Sequence, residues 1–317
     1  MRTRISFAVM LVLFVFTLGN SLVLAQEQPQ PQMSEEKRAD YSKYYEKRKG
    51  SEEDQKVAYQ LAQEFLKKYG ADDDQYTKAV RNFLTKYEEG LKKYDFNQAM
   101  TAKNYAKAME AGREILKTEP ENVLVQIQMV QAASQLQKTG NAAAGAEGLT
   151  LAKNALQLLE AGKGPEKASP KDIEDNKAYL NYAIGSFLVK DKPAEAQPYL
   201  LNAAKSNFYK NDAQTHYLLG TAIINGEYQA LSTDYAAKYK DKPESPEQKA
   251  ALENVLKVAQ KGVDSMARAV ALCTKPEQQE FKKQLMTQLT EIYKDLHQGS
   301  DAGLNELIAG ALSKPMP

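Results

Sequence analysis

Few residues in this chain could do chemistry on their own. The two histidines, His216 and His297, stand 81 positions apart, and Cys273 is the single cysteine. No Cys/His spacing resembles a zinc site, which gathers its ligands in short-range pairs. Asp72, Asp73 and Asp74 could offer carboxylates to Ca2+, but the alternating ligands, the glycine and the closing glutamate of an EF-hand loop are missing. They read as a solvated helix N-terminus. There is no G-x-S-x-G elbow, and two histidines leave a Ser/His/Asp arrangement little to draw on. No glycine-rich loop follows a strand, so nothing is set up to cradle a nucleotide. Glutamate pairs abound, as on any exposed helix face, and none stands out as a glycosidase pair. Cys273 follows Ala269, Val270, Ala271 and Leu272, which favours a buried, inert thiol. The expectation is a protein without catalysis, metal or cofactor.

Recognition chemistry is better represented. The chain has 18 tyrosines and no tryptophan, and tyrosine joins an apolar body to a polar tip. Tyr41, Tyr44 and Tyr45 cluster in the charged stretch SEEKRADYSKYYEKRK, which has few aliphatic residues. They are read either as ring packing of a terminal helix or as a partner-binding patch, since Tyr and Arg are enriched at interface hot spots. Tyr179, Tyr182 and Tyr217 are read as packing.

Positioning these residues falls to helices. From Ser34 onward almost every window fits a helical period, and no convincing strand alternation appears. Ala58, Leu61, Ala62, Phe65, Leu66 and Tyr69 form one apolar stripe; Tyr76, Ala79, Val80, Phe83, Leu84 and Tyr87 form the next. Ser51, Ser169, Ser245 and Thr274 each open a capping-box phrase, and Pro170 and Pro246 suit the first helical position. The spacing predicts helices over 73–94, 194–206, 211–224, 227–240, 246–272 and 302–312, among others. Pro198 conflicts with the helix over 194–206, which must start near Gln197 or kink. The end piece GSDAGLNELIAGALSKPMP reads as a cap, with Asp301 closing the start of its helix and Leu304, Leu307, Ile308, Ala311 and Leu312 on one face.

Ahead of the helices, residues 1–25 read as a secretory signal peptide. Arg2 and Arg4 supply a positive start, Phe7–Phe16 is a ten-residue apolar run, and Val23-Leu24-Ala25 fits a cleavage site. The apolar run is short for a membrane span of about 20 residues. Residues 26–33 form a polar linker. The chain carries 42 basic and 41 acidic residues; losing Arg2 and Arg4 leaves 40 against 41. Such balance gives no electrostatic footprint for nucleic acid.

Two phrases, Asn104–Asn122 and His216–Tyr239, read as parts of one recurring helix-turn-helix unit. Tyr105, Ala108, Leu116 and Pro120 fit a second helix and its exit turn. Gly185 and Ala196–Ala204 fit another unit, and Leu219, Gly220, Gly226, Tyr228 and Ala230 a third. Gly185 to Gly220 is 35 residues and Ala196 to Ala230 is 34. In this the chain resembles the tetratricopeptide repeat family, a helical hairpin of roughly 34 residues. Its departures are Asn181 and His216 where an aromatic is expected, Phe208 or Tyr209 in place of an exit proline, and an 88-residue interval from Ala108 to Ala196 that calls for an insertion.

The resemblance implies an all-α, right-handed α-solenoid of stacked antiparallel hairpins. It assigns 34–102 to an N-terminal helical region, 103–240 to repeats with an insertion near 161–171, and 241–317 to C-terminal helices and a capping tail. First helices line the groove in that family, which places Asn176, Lys177 and Asn181 beside Tyr41, Tyr44 and Tyr45 as candidate partner-binding residues. The expected function is a noncatalytic periplasmic or secreted scaffold binding a peptide or partner domain, with no membrane insertion after leader cleavage. An envelope chaperone for outer-membrane clients and a helical cell-wall hydrolase are the alternatives.

Overall fold

A computed structural model describes residues 33–316. The expected leader, and all of the expected linker but its last residue, lie outside them. Among the described residues the chain is helical throughout, with no strand. It forms two compact units, the first ending at Thr85 and the second beginning at Lys86.

The first unit holds α1 (Glu35–Lys47), α2 (Glu52–Tyr69) and the start of α3 (Gln75–Thr101). Ser51 opens α2 with a capping box: its hydroxyl accepts from Asp54 N while the Asp54 carboxylate accepts from Ser51 N. Ala58, Ala62 and Phe65 recur at i, i+4 and i+7, and that spacing buries one face of α2. Asp74 does the same capping work for α3, accepting from Tyr76 N and Thr77 N at 2.9 and 2.8 Å.

The second unit continues α3 and adds α4 (Tyr105–Thr118), α5 (Val123–Lys138), α6 (Ala142–Glu160), α7 (Pro170–Leu188), α8 (Pro193–Lys205), α9 (Ala213–Ile223), α10 (Gln229–Tyr239), α11 (Pro246–Leu272), α12 (Gln279–Leu296) and α13 (Leu304–Gly310). Asn104, Asn122 and Asn141 cap α4, α5 and α6, and Ser169 with Pro170 starts α7. Neighbouring helices pack in pairs, most extensively α5 with α6, α7 with α8 and α9 with α11. This packing is compatible with an α-solenoid.

Small residues permit the close approaches. A Cβ at Gly185 of α7 would stand 2.4 Å from Leu200 Cγ of α8; one at Gly220 of α9 would stand 2.6 Å from Met266 Cγ and 2.9 Å from the Gly262 carbonyl oxygen of α11. Both glycines thus lie where a second helix comes close, α8 against α7 and α11 against α9.

The rest of the expected third unit is corrected. His216–Tyr239 is no helix-turn-helix. α9 runs into α10 through a π-turn, Ile224–Tyr228, with no break between them. Asn225-Gly226 looks like a turn in sequence, yet Gly226 is absent from the positive-φ glycines among the described residues. It serves close approach instead: a Cβ there would stand 2.8 Å from Ala194 N at the start of α8. Ala230, expected to match Ala196, is exposed. The partner of α9 is α11, so the 34-residue interval from Ala196 to Ala230 links residues in different environments.

Two smaller expectations also change. Pro198 lies within α8, which starts at Pro193 rather than near Gln197. The last helix starts after Gly303, whose φ is +89°, and Asp301 contributes its carbonyl to Leu304 N at 3.1 Å rather than a side-chain cap. Leu304 and Ala311 are buried against α11 and α12 as a cap requires, while Leu312 is exposed.

Candidate functional site

In the first unit the expected tyrosine patch divides. Tyr44 is buried, Tyr41 half-buried and Tyr45 exposed. The Tyr41 ring stands 5.0 Å from Tyr76 and 5.6 Å from Tyr44, both edge-on, and Tyr44 meets Phe83 at 5.1 Å. Such T-shaped pairs are the favoured geometry of ring packing. Burial pushes the Tyr44 hydroxyl up to about 12 and Tyr41 upward as well. Tyr45 is the one ring of the three offered to solvent, with the Arg48 guanidinium 3.8 Å over its face.

Beside Phe65 and Tyr69 lies a buried ammonium. Lys37 pairs with Asp72 at 2.5 Å and with Asp74, and stands 5.3 Å over the Tyr69 ring. Burial acts to lower its pKa, but the two carboxylates together outweigh that and raise it. Asp72 and Asp74 thus hold the Lys37 ammonium, while Asp73 pairs with Lys78 at 2.9 Å.

In the second unit α7 carries the three remaining expected residues. Asn181 is buried, and its amide donates to the Lys177 carbonyl at 2.8 Å on its own helix. Asn176 and Lys177 are half-exposed, and Lys177 pairs with Glu174 at 3.1 Å. The helix repeat puts Asn176 on the same face as Tyr179, one turn on.

That face continues as a tyrosine surface. Tyr182 stacks on Tyr209 of the α8–α9 turn, with centroids 4.8 Å apart and planes 10° from parallel. Phe208 leans edge-on against Tyr209 at 4.8 Å and is 56% exposed. Burial raises the pKa of Tyr179, Tyr182 and Tyr209, so all three hydroxyls stay protonated at neutral pH. The arrangement offers rigid ring area with hydroxyls able to donate and accept. In the sequence Phe208 and Tyr209 stand only in place of an exit proline; an aromatic pair at a polar turn is the signal that marks them.

Catalytic features are sparse. Every carboxylate whose pKa is displaced among the described residues is displaced downward, opposite to a general acid. Cys273 is buried, which pushes its thiol up. His216 is fully buried, with Nε2 at 2.9 Å from the Lys210 carbonyl oxygen; burial, followed by the nearby Arg268 charge, lowers its pKa. Among the described residues no group of three or more His, Cys, Asp or Glu is placed to hold a metal ion, and none of their helices is long and apolar enough to cross a membrane. No family model matches the chain, and no curated protein or solved structure matches it.

Proposed function

We propose that the protein is a noncatalytic helical scaffold, working outside the cytoplasm, that holds one protein or peptide partner on the tyrosine surface of α7 and the α8–α9 turn. The reading includes a right-handed solenoid of the tetratricopeptide kind, with first helices lining the partner-facing side. The compartment rests on the leader pattern of residues 1–25.

The observation that carries the reading is the Phe208–Tyr209–Tyr182 stack. A phenylalanine more than half exposed leans on the Tyr209 ring, which is itself half-buried and stacked on Tyr182. Such a group gives a partner contact area with little ordering cost on binding. Near-zero net charge leaves apolar contact and hydrogen bonds, rather than long-range attraction, as the source of affinity.

The test is an affinity pulldown with residues 26–317 as bait against an envelope extract, beside the same bait carrying Phe208→Ala. Retention of one stoichiometric protein by the parent is expected, with a loss of about 2 kcal/mol or more of binding in the variant, as for a hot-spot residue. The variant's thermal stability should stay within about 0.5 kcal/mol of the parent's, as for a surface substitution. Equal retention by both baits would sink the tyrosine surface as the site. A broad set of unfolded outer-membrane proteins would move the reading to a chaperone.

A further inference from the structure

Arg268 is the one charge in the apolar run Met266–Leu272 of α11, and it is only 9% exposed. Burying a guanidinium demands acceptors for its five N–H groups. Among the described residues no carboxylate pairs with it. Its acceptors are main-chain carbonyls of the C-terminal tail: Nη2 donates to Lys314 O at 2.5 Å, with Pro315 O at 3.5 Å. One turn earlier on the same face of α11, the Asp264 carboxylate stands 3.9 Å from the Lys314 ammonium. The next tail residue, Met316, packs against the larger hydrophobic core of the second unit.

Three consecutive tail residues are thus met in three ways: a charge for the lysine side chain, a buried donor for the main chain, and an apolar surface for the methionine. Pro315 has no N–H to compete, and it disfavours helical backbone at Lys314, which keeps the segment open to Arg268. Lys314 and Pro315 are themselves exposed, so the segment is gripped along one edge. Once it leaves, Arg268 loses these two acceptors, and main-chain carbonyls of another segment can take their place.

We infer that Arg268 anchors a binding site for a short peptide segment. The chain's own Ser313–Met316 is its resident occupant, held in cis and displaceable by a Lys-Pro-Met segment supplied in trans. This goes beyond the scaffold reading and does not rest on it, since neither the tyrosine surface nor its partner takes part.

The experiment is fluorescence anisotropy with a labelled peptide of residues 312–317, LSKPMP, against the full chain and a chain ending at Ser313. The shortened chain should bind saturably, and the full chain at least tenfold more weakly, because a tethered competitor acts at an effective concentration on the order of millimolar. Arg268→Gln in the shortened chain should weaken binding at least tenfold. No binding by a folded shortened chain, or equal binding by the Arg268→Gln variant, overturns the inference. Should shortening prevent folding, methyl-13C methionine NMR on the full chain decides. Unlabelled peptide in excess, or Arg268→Gln alone, should move the Met316 methyl signal, assigned by Met316→Leu, to its free-peptide position. A Met316 signal unmoved in both cases overturns the inference.

Discussion

The two units solve the same packing problem with opposite materials. The first packs rings: Tyr44 and Phe65 are buried, with Tyr41, Tyr69, Tyr76 and Phe83 partly buried around them. It also encloses the Lys37 ammonium between two aspartates. The second packs small residues at its contacts, with Gly112, Gly148, Gly185 and Gly220 each facing a neighbouring helix too closely for a Cβ. A short helical unit has few aliphatic side chains to share, so long rings span the gaps. A stack lets each helix bury two faces, and its limiting quantity becomes distance of approach. The first core should therefore fail when something is removed, and the second when something is added.

The largest expected effect tests removal. Phe65→Ala should cost the first unit about 3–5 kcal/mol, read by hydrogen exchange as lost protection in α1 and α2 while α7 keeps its own. Loss of protection in α7 as well would mean that the units unfold together, and the contrast would fail. Next comes addition. In Gly220→Ala the new methyl meets the main-chain oxygen of Gly262 as well as Met266. A cost of about 1–3 kcal/mol is expected, despite a gain of roughly 1 kcal/mol in helix propensity. In Gly112→Ala the new methyl meets side-chain atoms only, Met129 Sδ at 2.5 Å and Phe96 Cε2 at 3.1 Å, so a smaller cost than for Gly220→Ala is expected. Equal costs by urea denaturation would show that main-chain contact is not what limits approach.

The smallest contrast is in pH. Burial holds the folded His216 pKa below its ordinary 6.5. Its contribution is present above pH 6.5 and is lost as pH falls from there through the folded value. Asp74, whose folded pKa lies below its ordinary 3.8, keeps its contribution until pH falls through that lower range. Burial acts to raise the Asp74 value, but its bonds with Lys37 and Thr77 N outweigh it. Between pH 6.5 and 4, protection should fall in α9 and α11 while α2 is unchanged, and His216→Gln should flatten the response. A matching fall in α2 would contradict the assignment.

Local signals were the legible part of the fold. Ser51, Ser169 and Ser245 cap the helices that their phrases announced, and α11 spans the expected 246–272. These features are written within a few residues, so periodicity and capping chemistry find them. Pairing was less legible. Asn225-Gly226 has turn composition, and only the approach of Ala194 explains why a glycine stands inside a continuous helix. The site residues divide the same way. Asn181 and Tyr44 carry polar atoms on helices, but whether those atoms face solvent depends on neighbours distant in sequence. Arg268 left a usable trace, a single charge in a run of apolar residues on the buried side of a long helix.

The π-turn at Ile224–Tyr228 amounts to one residue more than a regular helix would need over that stretch. Since successive α-helical residues advance by about 100°, everything from Gln229 onward is turned by about that angle relative to an uninterrupted α-helix. Residue number at this point acts as a dial. Excising one residue between α9 and α10 would rotate the face of α10 by more than a quarter turn without removing a contact by chemistry. An aligner would score so small a gap as trivial, yet it would re-address the whole α10 surface.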